Sequence, residues 1–419
     1  MSPTTKINLP VLTGLRFIAA LSVLIAHSIH AVFRNEATSP FLHQFALQLA
    51  YLGLTLFFVL SGCVLTLNYA NDFQHQPLKT LRNFWVARFA RIYPLYLFCC
   101  LLFLAFIPDV FHLLANIFPW NFVLAQGWTF FWVDGSSRAL YFFPYAWSIS
   151  AEVFLYLLLP FITWILLKSK NYRFDIALFI LLYTATIFIL FKAYHAVAIK
   201  GHMTWLGIAV VSKVQFLQWI AYYSPYVHIS SFFAGCIVGK YLLRQPHSTQ
   251  HNKGEMLAWL AAGIYLLLLI FITPPDSQHR LKGWDLPKHG MIYAPFIAAF
   301  IFILAKYQNA ISTFLCNRFC QLFGETSFSI YLLHPLIAGL FTLFIDQAAP
   351  ESLVDPARYI RLFTIIIFTL VISFGTYSLI EVPGRRWLRK KLSDNNNATF
   401  PEDLSVSTPK ISADVATAT

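Results

Sequence analysis

Long apolar segments, each close to twenty residues, recur along the whole chain and alternate with short polar stretches. A helix needs about 20 apolar residues to cross a bilayer, so each segment predicts one membrane-spanning helix. We therefore predict an all-α integral membrane protein, a bundle of about ten transmembrane helices. Their approximate bounds are 10–32, 45–69, 91–107, 144–167, 174–195, 225–243, 255–273, 289–305, 322–346 and 358–382.

Two parts of the chain do not follow this pattern. The stretch 196–224 mixes apolar residues with Lys200, His202 and Lys213, which leaves an interfacial helix and a pair of half-spans as alternatives. The polar stretch 392–419 has no apolar periodicity, and we predict a disordered cytoplasmic tail there. The expected organisation is one integral membrane domain over 1–391 followed by this tail.

The composition agrees with a membrane protein and explains its basic character. Only 11% of the 419 residues are charged and 58% are hydrophobic, whereas a soluble domain has about 25% charged residues. The 30 Lys and Arg outnumber the 18 Asp and Glu, and most of these basic residues fall on the inside if the N terminus is cytoplasmic. We predict that both termini are cytoplasmic and that the positive charge reflects membrane orientation rather than a nucleic-acid partner.

The first predicted helix carries Arg16 and His27 within an apolar sequence. Eleven residues at 1.5 Å each place them about 16.5 Å apart on one helix face. Ionisable groups inside a bilayer are costly and are functional candidates. The alternatives are a snorkelling anchor for Arg16 and a carbonyl-bonded histidine for His27. His30 lies three residues further on, but no third ligand is in view, and we predict no metal site.

Two further segments carry charged side chains in or beside predicted helices. FWVARFARIYPLY places Arg88 and Arg91 on one face, either to hold phosphate oxygens or as an ordinary positive-inside flank. YAWSISAEVFLYLLLPF contains Glu152, which we expect at a depth similar to that of His27. A structural carboxylate bonded to nearby hydroxyl groups is the alternative.

A last polar segment, FGETSFSIYLLHPLI, places Ser327, Tyr331 and His334 on one helical stripe just before Pro335. Polar helix interiors near mid-membrane usually line a cavity. A proline kink with a satisfied histidine is the alternative explanation.

These motifs, in this order, resemble those of the acyltransferase-3 family of integral membrane O-acyltransferases. The matching elements are R-x10-H at Arg16 and His27, GLTLFFVLSG at Gly53 to Gly62, R-x-x-R at Arg88 and Arg91, W-S-x-S-x-E at Trp147 to Glu152, S-F-S-x-Y-L-x-H at Ser327 to His334, and Y-x-x-x-E-x-P at Tyr377 to Pro383.

The resemblance implies a bacterial inner-membrane enzyme that transfers an acyl group, usually acetyl from the co-substrate acetyl-CoA, to a cell-envelope glycan. The acceptor would be a hydroxyl of an LPS O-antigen, an exopolysaccharide or a related glycolipid. By the same resemblance, the R-x10-H and R-x-x-R pairs are needed for activity. Two positions depart from the family pattern, because Thr55 and Val153 stand where an acidic residue is often found.

The chemistry of these residues supports a division of roles. Arginine forks hold phosphates well, and a histidine is the commonest general base, here with Glu152 as the predicted partner that fixes its tautomer. A proton-coupled transporter or flippase for a glycan or lipid-linked sugar is the alternative, with the buried His and Glu as a proton relay. Our assignments are donor binding by Arg16, Arg88 and Arg91, catalysis by His27, Glu152 and His334, and substrate binding by Tyr331 and Ser327.

Overall fold

The fold was examined in a computed structural model that describes ten stretches of the chain. Nearly all of the described residues are helical, and the predicted tail beyond residue 392 lies outside them. The described stretches are 9–33, 40–104, 118–133, 136–201, 204–205, 208–210, 212–244, 251–271, 290–345 and 356–392.

The helices follow the apolar segments of the sequence closely. The α-helices in the described residues are α1 (Pro10–Val32), α2 (Pro40–His75), α3 (Pro77–Leu104), α4 (Phe118–Phe122), α5 (Arg138–Tyr141), α6 (Trp147–Lys168), α7 (Tyr172–Tyr194), α8 (Lys213–Gln218), α9 (Pro225–Arg244), α10 (His251–Phe271), α11 (Ala294–Lys306), α12 (Ala310–Leu315), α13 (Arg318–Glu325), α14 (Ser327–Ile345), α15 (Pro356–Thr376) and α16 (Val382–Leu392).

Short irregular elements join some of these helices. A 3-10 turn (Met291–Tyr293) precedes α11, and π-helical turns follow α7 (His195–Ile199), α8 (Trp219–Tyr223) and α15 (Tyr377–Glu381). Two antiparallel strand pairs, each strand two residues long, lie in the connections: β1 (Trp132–Val133) with β2 (Ser136–Ser137), and β3 (Thr204–Trp205) with β4 (Ile208–Ala209).

Seven helical runs among the described residues are long and apolar enough to cross a membrane. Three shorter apolar helices accompany them, so the all-helical membrane architecture predicted from the sequence is confirmed. The seven runs are Pro10–Val32, Pro40–His75, Pro77–Leu104, Trp147–Lys168, Tyr172–Ile199, Lys213–Arg244 and Pro356–Leu392, and the shorter helices are Gly254–Ile264, Met291–Lys306 and Ser327–Thr342.

Some predicted helices were shorter than those of the structure. Helix α3 begins at Pro77 rather than near residue 91, because a hydropathy pattern detects only the apolar part of a helix and misses polar turns that continue it. Among the described residues of 196–224, the first part forms the end of a π-turn and the β3–β4 pair, and the part from Lys213 to Tyr223 is helical. The extended backbone of Ser224 separates this helical part from α9, and an interfacial helix and a pair of half-spans both stay predictions for the stretch.

Close contact between α2 and α9 organises the centre of the bundle. A Cβ atom added to Gly62 would lie 2.1 Å from the carbonyl oxygen of Phe232, and one on Gly235 would lie 2.0 Å from that of Val59. Only glycine allows two helix backbones to approach this closely. The crossing holds in place the turns of α2 that carry Leu54 and Ser61.

Buried polar contacts tie the peripheral helices to this centre. Asp175 of α7 and Lys240 of α9 form an ion pair whose side chains are 0% and 1% exposed, and the Tyr241 hydroxyl donates to the same Asp175 oxygen at 3.1 Å. Ser329 of α14 donates to Glu381 at 2.7 Å. These bonds compensate polar groups that would otherwise be costly to bury.

The short helix α13 carries a carboxyl group beside the last membrane run. Tyr377 donates to Glu325 at 3.2 Å. Burial raises the pKa of Glu325, while the Tyr377 hydrogen bond and the charge of Arg385 act in the opposite direction. The contact links α13 to the π-turn after α15.

Candidate active site

Polar side chains from five helices converge on one cavity, which we call the arginine cavity. Helices α1, α2, α3, α6 and α14 supply them. The candidate residues Arg16, Arg88, Arg91 and Glu152 are therefore brought together, although they lie far apart in the chain. The walls include Arg16, Leu54, Phe57, Ser61, Arg88, Arg91, Ser148, Glu152, Tyr156, Ser327 and Tyr331.

Arg88 is the most deeply placed cation of this cavity. Its side chain is only 3% exposed, and its guanidinium carbon lies 5.8 Å from the ring centroids of Tyr69, Phe84 and Tyr156. Aromatic faces stabilise a guanidinium by cation–π attraction, more so where water is excluded. Arg88 is thus held in a fixed position with its charge directed to the cavity.

Glu152 belongs to the arginine cavity and not to the surroundings of His27. Its Oε1 atom accepts hydrogen bonds from Tyr156 at 2.5 Å and from Ser61 at 3.1 Å. The predicted contact between Glu152 and His27 was wrong. Trp147, the first residue of α6, lines the same cavity as His27, and Glu152 is about 7.5 Å further along the helix axis.

A second cavity, the histidine cavity, adjoins the first. Its volume is about 390 Å³, well above the roughly 30 Å³ that one water molecule occupies in the liquid. It therefore has room for part of a ligand. Its walls are formed by Val23, His27, Ala50, Leu54, Leu140, Pro144, Tyr145, Trp147, Tyr222, Tyr223 and Tyr331.

His27 forms a hydrogen-bonded pair with His334. The Nδ1 atom of His27 lies 2.9 Å from Nε2 of His334, and Nδ1 of His334 lies 3.2 Å from the carbonyl oxygen of Ile330. A carbonyl only accepts, so His334 carries its proton on Nδ1 and, as a neutral ring, accepts on Nε2. His27 then donates from Nδ1 and, as a neutral ring, carries its lone pair on Nε2, while the backbone of Val23 is a further hydrogen-bond partner of the ring.

An aromatic residue beside this pair completes the surroundings of His27. The Tyr145 ring lies 4.6 Å from the His27 ring in an edge-on arrangement. Tyr145 precedes α6 and lies outside the membrane runs, and burial raises the pKa of its phenol. The phenol therefore stays neutral beside His27.

Three tyrosines of the histidine cavity, Tyr145, Tyr222 and Tyr223, were not identified from the sequence. Tyr222 and Tyr223 lie 4.7 and 5.1 Å from the Trp147 ring. The π-turn that presents them is fixed at both ends, because Trp219 donates to the Gly127 carbonyl at 3.0 Å and His228 donates to the Tyr222 carbonyl at 2.7 Å. π-Turns within helices occur often at functional sites.

The two cavities share two wall residues, Leu54 and Tyr331. The Tyr331 hydroxyl donates to the Tyr145 carbonyl at 3.1 Å and lies 2.6 Å from the Ser148 hydroxyl. These bonds hold Tyr331 rigidly from two sides. Leu54 is 4% exposed and is the aliphatic half of this boundary.

The predicted stripe on α14 links the two cavities. Ser327 lines the arginine cavity, Tyr331 lies at the boundary, and His334 reaches His27. Helix α14 continues through Pro335 to Ile345, so the proline does not end it. Fold and site together define a multi-pass membrane protein with a buried polar site in two adjoining parts.

Comparison with known sequences identifies the family. The Acyltransferase domain profile of the acyltransferase-3 family matches residues 9–378, which is most of the chain and includes every candidate site residue. The chain belongs to the acyltransferase-3 family, and the resemblance seen in its motifs is confirmed.

Individual relatives are distant but are aligned over most of the chain. The O-acetyltransferase OatA of Staphylococcus aureus (strain NCTC 8325 / PS 47) is 23% identical over 400 residues, covering 90% of this chain. The putative O-acetyltransferase SACOL0978 of Staphylococcus aureus (strain COL) is 21% identical over 401 residues. The chain spans 57% of the length of each of these relatives. No solved structure matches the chain.

Proposed function

We propose that this protein transfers an acyl group, most often acetyl, from acyl-CoA to a hydroxyl of a cell-envelope glycan. The acceptor class is an LPS O-antigen, an exopolysaccharide or a related glycolipid, and the location is a bacterial cytoplasmic (inner) membrane. The observation that carries the proposal is the adjacency of the two cavities. One offers the buried Arg88 with the half-buried Arg16 and Arg91, the other offers His27 with its hydrogen bond to His334, and they share Leu54 and Tyr331.

We infer the orientation of the bundle from its basic residues. With both termini in the cytoplasm, most Lys and Arg residues flank the inner ends of the helices, as in other membrane proteins. The arginine cavity then lies nearer the cytoplasm, where acyl-CoA is made, and the histidine cavity lies nearer the outer surface. This arrangement brings donor and acceptor to the site from opposite sides.

The arginine cavity is suited to the donor. Coenzyme A carries several phosphate charges, and guanidinium groups hold phosphate oxygens in paired hydrogen bonds. Arg16, Arg88 and Arg91 supply three such groups. Arg16 and His27 are about 16.5 Å apart along α1, a span comparable with an extended pantetheine arm, so phosphates held near Arg16 would place the thioester close to His27.

The transfer step uses the free nitrogen of His27. The acceptor hydroxyl gives its proton to Nε2 of His27 while its oxygen forms a bond to the thioester carbonyl carbon. The carbon–sulfur bond then breaks, and the thiolate takes the proton, so the products are an O-acyl ester and coenzyme A thiol. His334 is a positioning residue that fixes the His27 tautomer, which is the role first expected of Glu152.

The boundary residue Tyr331 is placed to assist this step. Its hydroxyl, together with that of Ser148 at 2.6 Å, lies where the two cavities meet. Both hydroxyls donate to the Tyr145 carbonyl in the structure, so one of them has to turn toward the thioester carbonyl oxygen to stabilise the negative charge that develops there. Ser327, on the same face of α14, contributes to the wall that holds the donor.

A labelled-donor assay tests this function. Membranes with and without the protein receive acetyl-CoA labelled in the acetyl group, and the envelope polysaccharide is then treated with mild base. We expect base-released label only where the protein is present. A transporter or flippase would leave acetyl-CoA unconsumed, so the absence of protein-dependent label would reject the transferase and favour that alternative.

A further inference from the structure

Two side chains line both cavities and form the boundary between them: Tyr331, which is held by hydrogen bonds, and the aliphatic Leu54. Tyr331 is fixed through hydrogen bonds to Tyr145 and Ser148, and its ring lies 6.0 Å from that of Phe57. Leu54 faces the same two cavities from α2 and is buried, with 4% exposure. Both side chains therefore flank the place where the two cavities meet.

The acyl group is the part of the donor that meets this boundary. If the phosphates are held by the arginines, the thioester end points toward His27, and the acyl carbons are its leading atoms. An acetyl group places a single methyl beyond the carbonyl carbon. Each further methylene has to fit against Leu54, because Tyr331 is held in place by its two hydrogen bonds.

We propose that Leu54 sets the size of the acyl group that this protein transfers, restricting it to acetyl. The inference rests on the proposed function and adds to it a residue that determines specificity. Leu54 acts by volume and takes no part in the proton transfer. The reaction stays the same for every donor, with an O–C bond formed, a C–S bond broken and coenzyme A thiol released.

The size of the effect follows from the sensitivity of apolar pockets to single methylenes. One methylene that a closed pocket cannot accept changes kcat/KM by roughly 10- to 200-fold. Replacing Leu54 by alanine removes three carbons from the boundary. We expect Leu54→Ala to raise the ratio of butyryl to acetyl transfer roughly tenfold or more.

The experiment compares three donors in membranes that contain the protein. Labelled acetyl-CoA, propionyl-CoA and butyryl-CoA are supplied separately, and base-released label in the envelope polysaccharide is measured with an immunoblot of protein abundance. Leu65→Ala is the matched control. Leu65 is another buried leucine, 2% exposed, which lines the arginine cavity but not the histidine cavity. Its substitution should leave the butyryl-to-acetyl ratio unchanged.

The outcomes separate this inference from the function on which it rests. Transfer of acetyl by the unmodified protein, with the same donor ratios in the Leu54→Ala and Leu65→Ala variants, overturns the inference alone. Transfer of no acyl group from any of the three donors overturns the proposed function. If Leu54→Ala is absent from the membrane, Leu54→Val provides the same comparison with a smaller cavity, and an unchanged ratio there also overturns the inference.

Discussion

The arginine cavity and the histidine cavity differ in the charge that their walls present. The first contains three arginines and a carboxylate, while the second contains a histidine among aromatic and aliphatic side chains. Buried cations are costly unless they are paired or meet an anionic ligand. The charged side chains of this site are thus concentrated in the arginine cavity, where a polyanion would be held, and none of the wall residues of the histidine cavity is Lys, Arg, Asp or Glu.

This separation has a chemical consequence. A histidine acts as a base only while its ring is neutral. The positive charge of a nearby arginine would make the ring less basic, so that it would accept a hydroxyl proton less readily. The boundary of Leu54 and Tyr331 keeps the guanidinium groups in one compartment and the imidazole pair in the other. Substitutions in each cavity should therefore change different kinetic quantities.

Loss of His27 is expected to have the largest effect. His27→Ala removes the proposed base, and general-base catalysis contributes typically 10²- to 10⁴-fold. Base-labile acetylation should fall by about this factor with the protein still in the membrane, as shown by immunoblot. His30→Ala is the control, because His30 lies on the same helix with its Nδ1 bonded to the Ala26 carbonyl at 2.8 Å. Full acetylation by an abundant His27→Ala protein would remove His27 from the mechanism.

Substitution of Arg88 should act on donor binding instead. A hydrogen bond to a charged group is worth about 1.5–3 kcal/mol, so Arg88→Ala should raise the KM for acetyl-CoA by roughly 10-fold or more. Arg88→Lys should recover only part of the loss, because an ammonium lacks the guanidinium fork. Arg82→Ala, at an exposed position of the same helix, is the control. An unchanged KM for acetyl-CoA in Arg88→Ala would show that this arginine does not hold the donor phosphates.

The sequence predicted the arginine cavity better than the histidine cavity for a physical reason. An arginine or glutamate within an apolar helix stands out against its neighbours, so Arg16, Arg88 and Glu152 were identifiable as single residues. Tyr222 and Tyr223 were not, because tyrosines are common in membrane helices and only the π-turn of Trp219–Tyr223 brings this pair into the cavity. The register of that turn depends on a contact with the distant Gly127 and on one with the nearby His228.

The sequence also did not determine the depth of each helix relative to its neighbours. The apolar pattern located α6 within three residues of its start, but the partner of His27 depends on how far each helix is shifted along its neighbours. Packing of the α14 stripe beside α1 brings His334 to His27. Glu152 is left beside Ser61 and Tyr156.

The roles of His334 and Glu152 can be separated by a paired substitution. His334→Ala removes the Nε2 acceptor of His27, and loss of a buried hydrogen-bond partner costs about 1–3 kcal/mol. We expect kcat to fall roughly 5- to 150-fold with little change in the KM for acetyl-CoA. His334→Gln, which retains an acceptor oxygen, should recover part of the loss.

Glu152→Gln provides the opposite half of this test. Its side chain keeps the oxygen that Ser61 and Tyr156 contact and loses only the charge in the arginine cavity. We expect a change of a few-fold in the KM for acetyl-CoA, smaller than that of Arg88→Ala, and a nearly unchanged kcat. A fall in kcat equal to that of His334→Ala would show that Glu152 acts with His27. The two cavities would then not have separate roles.

The smallest effect on transfer is expected at a buried ion pair that lines neither cavity. Asp175 and Lys240 join α7 to α9, and most of α7 is otherwise exposed on the surface of the bundle, with 17% of its apolar run buried. Removing one partner of a buried pair costs about 3–5 kcal/mol, whereas replacing both by apolar residues is often neutral. Asp175→Leu should therefore lower the thermal midpoint of the detergent-solubilised protein, and the double substitution Asp175→Leu with Lys240→Met should recover it.

In both variants the acetylation per molecule of folded protein should match that of the unmodified protein. Buried charge in a membrane protein is a functional candidate by default, and the position of a charged group relative to the two cavities decides whether it serves chemistry or stability. A loss of specific activity in the stable double variant would show that this pair also acts in transfer. Asp175 and Lys240 would then not be a purely structural ion pair, separate from the donor site and the transfer site.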